Sequence, residues 1–138
     1  DIVIPDGIKG IAAGAFNENI NPFAPPVNHN YITSIIVPSS VKYIGEYAFS
    51  SQINLTSVTL SEGLTKIEGN AFYNCSKLST IIIPLSVIDM GAHVFFGSSP
   101  QLQVKVRSAV IPNTWHMYFN YIDVNNNRVQ ITLNYQDN

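Results

Sequence analysis

The stretch Ile35-Ile36-Val37-Pro38-Ser39-Ser40-Val41-Lys42-Tyr43-Ile44-Gly45-Glu46-Tyr47-Ala48-Phe49 returns at a spacing of 23 as Val58-Thr59-Leu60-Ser61-Glu62-Gly63-Leu64-Thr65-Lys66-Ile67-Glu68-Gly69-Asn70-Ala71-Phe72. A third copy ends in Val94-Phe95. Framed as Ile32 to Asn54, Leu55 to Lys77 and Leu78 to Pro100, the three units place apolar residues at the same seven positions, 21 of 21. With apolar residues at 46% of the chain, chance fills all of them about once in 10⁷ trials. The chain is therefore organised by an internal repeat.

Outward from these units the pattern continues less regularly. Ile4, Pro5, Ile8, Ile11, Ala15 and Phe16 repeat it one unit earlier, but the step from Phe16 to Phe49 is 33 rather than 23, so this unit carries ten extra residues. The insertion lies at 20–31, and its three prolines and three Asn exclude regular helix or central strand. After Pro100, Val104 and Val106 continue the strand row, but no Ala-Phe pair follows. Residues 1–138 read as one domain: about four repeats in 2–100, the insertion at 20–31, then a fifth strand and a cap at 101–138, the other reading of this ending being a junction to a further domain.

The fold class follows from what a short repeat can bury. A 23-residue coil cannot cover both sides of its own apolar stripe, whereas coils stacked about 4.8 Å apart pair their strands and fuse the stripes into one core. A period in the 20–29 range with Leu-x-x-Leu-x-Leu spacing predicts a leucine-rich repeat solenoid. It has a parallel β-sheet on one face and short helical or irregular segments opposite. The Val41 and Ile44 pair, and its copies Leu64 and Ile67, line the opposite wall. Gly45, Gly69 and Gly91 permit bends, and Phe49, Phe72 and Phe95 plug the corner. In the closing segment, Trp115, Tyr118, Phe119 and Ile122 suit one face of a short helix. Asn125-Asn126-Asn127 suits the turn of a hairpin between 121–124 and 129–133.

Composition narrows the function. The 138 residues carry seven Lys and Arg against nine Asp and Glu, and only 12% of them are charged. This speaks against a nucleic-acid groove or polybasic membrane patch. No apolar run reaches the roughly 18 residues of a membrane span, so no membrane insertion of this fragment is expected. The single Cys75 closes no intrachain disulfide and reads as a buried structural thiol. The chain opens at Asp1 directly into a strand-like run and reads as an excised or processed fragment.

No chemistry-bearing motif emerges. The three histidines, His29, His93 and His116, fall in the insertion, a repeat wall and the cap, where the solenoid separates them. Gly-rich phosphate loops and Gly-x-Ser-x-Gly elbows are missing from the sequence. Neither catalytic residues, metal ligands nor cofactors are assigned.

At the residue level, the units Ile35 to Phe49 and Leu64 to Leu78 resemble BspA-type leucine-rich repeats. That family's pattern is a strand ending in Ile-Pro, followed by Val-x-x-Ile-Gly-x-x-Ala-Phe-x-x-Cys-x-x-Leu. The likeness covers roughly residues 2–106, with Asn19, Gln52 and Ser98 at the Cys position and Ser61 in place of Pro. It implies a bacterial cell-surface or secreted protein, or a protist relative, so an extracellular setting. It also implies a noncatalytic adhesion or protein-binding module and transfers no catalytic residue. A protein partner is expected, such as a host extracellular matrix protein. The other reading is a structural stalk or spacer with no ligand of its own.

Strand parity indicates where a partner would sit. Burying Ile35 and Val37 turns Ser34, Ile36 and Pro38 outward. Rows then cross the sheet: Ser34, Ser57, Thr80 and Gln103; Val3, Ile36, Thr59, Ile82 and Lys105; Pro5, Pro38, Ser61, Pro84 and Arg107. The candidate binding face is Ser34, Ile36, Ser57, Thr59, Thr80, Ile82, Lys105 and Arg107. A second candidate is the insertion, through Phe23, Pro25, Pro26, His29 and Tyr31.

Overall fold

The computed structural model describes residues 1–17 and 31–137. Most of the insertion, with Phe23, Pro25, Pro26 and His29, lies outside these residues. Ten strands follow in chain order: β1 (Ile2–Val3), β2 (Gly10–Ile11), β3 (Ser34–Val37), β4 (Tyr43–Ile44) and β5 (Ser57–Leu60), then β6 (Lys66–Ile67), β7 (Thr80–Ile83), β8 (Asp89–Met90), β9 (Gln103–Val106) and β10 (Gln130–Thr132). They form a parallel β-solenoid with two sheets, ordered β1-β3-β5-β7-β9-β10 and β2-β4-β6-β8. The pairing Ser34↔Ser57, Ser57↔Thr80 and Thr80↔Gln103 reproduces the repeat frame read from the sequence. Ile2↔Ile35 pairs across the longer unit, so the insertion is accommodated without loss of register.

The wall opposite the long strands differs from the expected helical or irregular segments. It is a second parallel sheet of two-residue strands, in which Ile11, Ile44, Ile67 and Met90 align. No helix occurs among the described residues. A short coil that already holds a four-residue strand has too little chain left for a stable helix, which needs several turns. Short extended pieces satisfy the backbone by pairing with the next coil instead.

Between the sheets lies a continuous core. Ile35, Val37, Val41, Ile44, Ala48, Phe49 and their copies in the next two units are all buried, from Leu55 and Val58 through to Phe95. The phenylalanines stack along the axis, with centroids 5.1 Å apart for Phe16 and Phe49, 5.5 Å for Phe49 and Phe72 and 6.3 Å for Phe72 and Phe95. Burying each such ring contributes up to about 3 kcal/mol.

The glycines act by closeness rather than by bending. Gly45, Gly69 and Gly91 do not have positive φ, whereas Tyr47, Asn70 and His93 do, at 55°, 57° and 54°. These three hold the same place in successive units and take the left-handed turn themselves. A Cβ on Gly91 would lie 2.3 Å from Gly69 N, and one on Gly45 2.4 Å from Ala13 N, so here the adjacent coil's backbone fills the side-chain space.

The segment after Val106 is a further, longer coil. Gln130 pairs with Gln103, a separation of 27, and the strand runs parallel to β9. His116 N donates to Met90 O at 2.7 Å, continuing the row in which Glu68 N donates to Ile44 O and Gly91 N to Ile67 O. Trp115 therefore follows Ile44, Ile67 and Met90 into the core, where it is buried with Phe119 and Ile122. The expected helix at this point is replaced by turns, and Tyr118 faces outward, 41% exposed. The Asn-rich turn forms, with a single antiparallel bridge between Tyr121 and Arg128 and Asn126 at φ 64°, but the expected hairpin does not continue from it, because 130–132 pairs in parallel with β9 instead. The coil stacks on the one before it by repeating the same pairing rather than by changing architecture.

Candidate functional site

The long-strand sheet carries the candidate face in the expected rows. Ile36 pairs with Val3 and Thr59, and Ile82 with Lys105. Ile36 is 42% exposed and Val3 64%, so the apolar side chains at this end of the row meet water. Ser57 and Thr59 are exposed, while Ser34, Thr80, Ile82, Lys105 and Arg107 are half-buried. Pro84 is buried and so leaves the third row.

Towards the last coil the face is already occupied by the chain's own groups. Tyr135 N donates to Val106 O at 3.0 Å and Asn134 N to Ser108 O at 2.8 Å, which draws 134–137 over the basic pair. Lys105 Nζ then sits 4.7 Å from the Tyr135 ring centroid, and Arg107 forms an ion pair with Asp137. That hydrogen bond raises the Arg107 pKa further. Gln103 Nε2 donates to Gln130 Oε1 at 2.6 Å, and at the opposite edge Ser34 Oγ donates to Asp1 Oδ1 at 2.7 Å. The open part of the face is therefore its middle, Ile36 with Ser57 and Thr59.

Tyr31 is the one insertion residue of the candidate set within the described chain. It is 79% exposed and lines a cavity of about 430 Å³ with Asp1, Ile2, Ala15, Phe16 and Ile32.

Cys75 is fully buried, and burial pushes its thiol up to about 12. Its Sγ lies 3.3 Å from Phe49 O as donor. Gln52, its counterpart one coil earlier, donates from Nε2 to Phe16 O at 2.6 Å. In these two coils the Cys position of the repeat thus satisfies the carbonyl of the preceding phenylalanine. Among the described residues no three His, Cys, Asp or Glu side chains converge as a metal site would require.

A feature the linear reading missed is an aromatic stripe on the outer wall. Tyr47 and Tyr73 lie 6.1 Å apart, Tyr73 stacks on Phe96 at 5.7 Å, and His93 meets both Phe96 and Tyr118. His116 also contacts Tyr118, at 5.4 Å. His93 and His116 are thus brought to one ring rather than separated. The signal was present: Tyr73 and Phe96 occupy the same repeat position, each just after a core phenylalanine.

With this geometry in view, the description BspA type leucine rich repeat region matches residues 27–135 in six copies. The chain belongs to the BspA-type leucine-rich repeat family. The match runs through the last coil, in keeping with its stacking on β9. Two solved structures share the fold. The pneumococcal vaccine antigen PcpA superposes with a TM-score of 0.70 at 24% identity, over 99% of this chain and 30% of that one. The T. pallidum leucine-rich repeat protein TpLRR does so at 0.52 and 23% identity, over 75% and 57%. The chain thus spans under a third of PcpA. No curated protein matches the sequence. Repeats of this family form a parallel solenoid typical of noncatalytic modules, and among the described residues no helix is long and apolar enough to cross a membrane.

Proposed function

We propose that this chain is a noncatalytic protein-binding or adhesion module of a bacterial cell-surface or secreted protein, and that it binds through the sheet face. The observation that carries this reading is the in-register row of Ile36 and its neighbours, an exposed apolar strip bordered by Ser57 and Thr59 on paired strands. A face held by hydrogen-bonded strands loses little conformational freedom on binding and offers a flat platform rather than a pocket. The likeness in fold to a pneumococcal vaccine antigen supports an extracellular setting. Within this reading, residues 1–138 act as one domain, with 101–138 as its closing turn.

The partner expected is a protein, with host extracellular matrix proteins as the first to try. Binding to immobilised fibronectin, laminin and collagen is measured for the wild type, Ile36→Glu and Thr59→Glu, with Leu85→Glu as an exposed control in the turn that follows β7. Saturable binding that both sheet-face variants weaken while Leu85→Glu does not is the expected result. Binding lost only in the control moves the site to the turns. No binding to any matrix protein favours the stalk reading.

A further inference from the structure

We propose that the outer wall at the junction of the fourth and last coils is a binding site for a neutral saccharide residue, separate from the sheet face. His93, Tyr118, Tyr121 and Asn126 line a cavity of about 220 Å³ there. This is below the roughly 300 Å³ at which drug-sized pockets begin and suits a single ring.

The walls are held in place by bonds the cavity does not need for itself. His93 N donates to Tyr118 O at 3.0 Å, which ties the two coils together at the site. The imidazole and phenol rings lie nearly parallel, 6.0 Å apart. Tyr121 is fixed by Arg128, whose Nη2 donates to the phenol oxygen at 2.8 Å while its guanidinium covers the ring at 4.7 Å. Asn126 stands at the tip of a loop locked by Asp123, which accepts from Asn125 N at 2.9 Å, Asn127 N at 3.1 Å and Asn127 Nδ2 at 2.6 Å. Such pre-organisation lowers the ordering cost of binding.

The chemistry left over identifies the ligand class. The His93 imidazole, the Tyr118 hydroxyl and the Asn126 carboxamide make no side-chain hydrogen bond among the described residues, yet all border the same cavity. They are hydrogen-bonding groups set beside ring faces. A sugar presents the matching combination, an apolar C–H face with hydroxyls around its edge. No carboxylate lines the cavity, so an amine finds no counter-charge, and the nearby cation, the Arg128 guanidinium, is already engaged by the ring and hydroxyl of Tyr121. An extended peptide is disfavoured because the cavity offers no strand edge to pair with.

The test is saturation-transfer NMR on the whole chain with lactose, maltotriose, mannotriose and chitotriose, comparing wild type, Tyr118→Ala, Asn126→Gly and the sheet-face variant Ile36→Glu. Asn126→Gly keeps the left-handed turn and removes only the carboxamide, so it decides the matter if Tyr118→Ala fails to fold. Transfer to the C–H protons of at least one sugar is expected, weakened about tenfold in affinity by Tyr118→Ala, reduced by Asn126→Gly and unchanged by Ile36→Glu. Absence of transfer from all four sugars overturns the proposal. So does transfer that survives in folded Tyr118→Ala and Asn126→Gly, or that an aromatic-rich peptide alone produces. Because the readout is independent of matrix-protein binding, failure here leaves the sheet-face reading standing, and the reverse.

Discussion

The three interior coils and the last coil solve the same stacking problem with different amounts of chain. Between β3 and β9 each turn advances the chain by 23 and sets Val, Leu, Ile and Phe in fixed rows. From β9 to β10 the advance is 27, the Ala-Phe pair is lacking, and Trp115 stands where the other turns place Ile44, Ile67 and Met90. Both return to a parallel strand and both continue the wall's hydrogen bonds. The difference teaches that the solenoid constrains where the backbone must meet its neighbour, not how many residues lie between meetings. Extra length goes into exposed turns such as 123–127, where loop closure grows costly only slowly with length.

The largest effect expected separates the two kinds of coil by their plugs. Phe72 is fully buried with rings stacked on both sides, so Phe72→Ala should lower stability by about 3 to 5 kcal/mol. Phe119 contacts Trp115 edge-on at 5.0 Å and keeps 6% exposure, so Phe119→Ala should fall near the low end, about 3 kcal/mol. Denaturant midpoints at constant m-value measure both. An unchanged midpoint for Phe72→Ala would contradict the stacked-ring register.

The interior coils were legible in the sequence because apolar spacing of side chains and backbone pairing have the same period there. Alternation along Ser34 to Val37 is long enough to assign faces, so the rows through Ile36 and Thr59 could be written down in advance. Two-residue strands such as Tyr43–Ile44 have no alternation to read, which hid the second sheet. The left-handed positions Tyr47, Asn70 and His93 were hidden for another reason, since three unrelated side chains occupy one conformation. In the last coil the longer period displaced every landmark, so Trp115 and Phe119 suggested a helix instead of a core row. The loss of Lys105 and Arg107 from the open face depended on Tyr135 and Asp137 folding back, a contact that strand parity does not encode.

A smaller effect sharpens the comparison within the interior coils. Gly91 and Gly69 sit near the same bend, yet a Cβ on Gly91 would meet Gly69 N at 2.3 Å and Gly69 Cα at 2.7 Å, both backbone, while one on Gly69 would approach Ala92 O at 3.1 Å. Gly91→Ala should therefore cost about 1 to 3 kcal/mol by forcing coils apart, and Gly69→Ala less than about 1 kcal/mol. Thermal or denaturant midpoints would show the difference. Equal losses would mean that the bend, not the approach of the neighbouring coil, selects glycine.

Cys75 gives a pH-dependent comparison. Burial holds its thiol up to about 12 against an ordinary 9.0, so the folded state keeps the proton that the unfolded chain releases. This contribution is fully present below pH 9.0 and falls as pH rises towards 12, by roughly 1.4 kcal/mol per pH unit. Cys75→Ala removes that slope and leaves those of the tyrosines and lysines. Between pH 8 and pH 10 the stabilities of wild type and variant should thus converge by roughly 1.4 kcal/mol. Parallel curves would mean that the thiol ionises freely in the folded protein.

The smallest effect belongs to the same repeat position one coil further on. Gln52 reaches Phe16 O at 2.6 Å and Cys75 reaches Phe49 O at 3.3 Å, but Ser98 Oγ is buried with no protein partner among the described residues. The serine hydroxyl sits on a C–O bond shorter than the C–S bond of Cys75 and makes no bond to the preceding coil. Removing a buried hydroxyl that makes no bond loses no hydrogen-bond energy and relieves its desolvation, so Ser98→Ala should change stability by no more than about 0.5 kcal/mol, in either direction. Gln52→Ala should cost about 1 to 3 kcal/mol, because it strands the Phe16 carbonyl and opens a cavity. The denaturant midpoints of the two variants decide the matter. A large loss for Ser98→Ala would show that its hydroxyl is bonded in solution after all, and the position would then have one role in every interior coil.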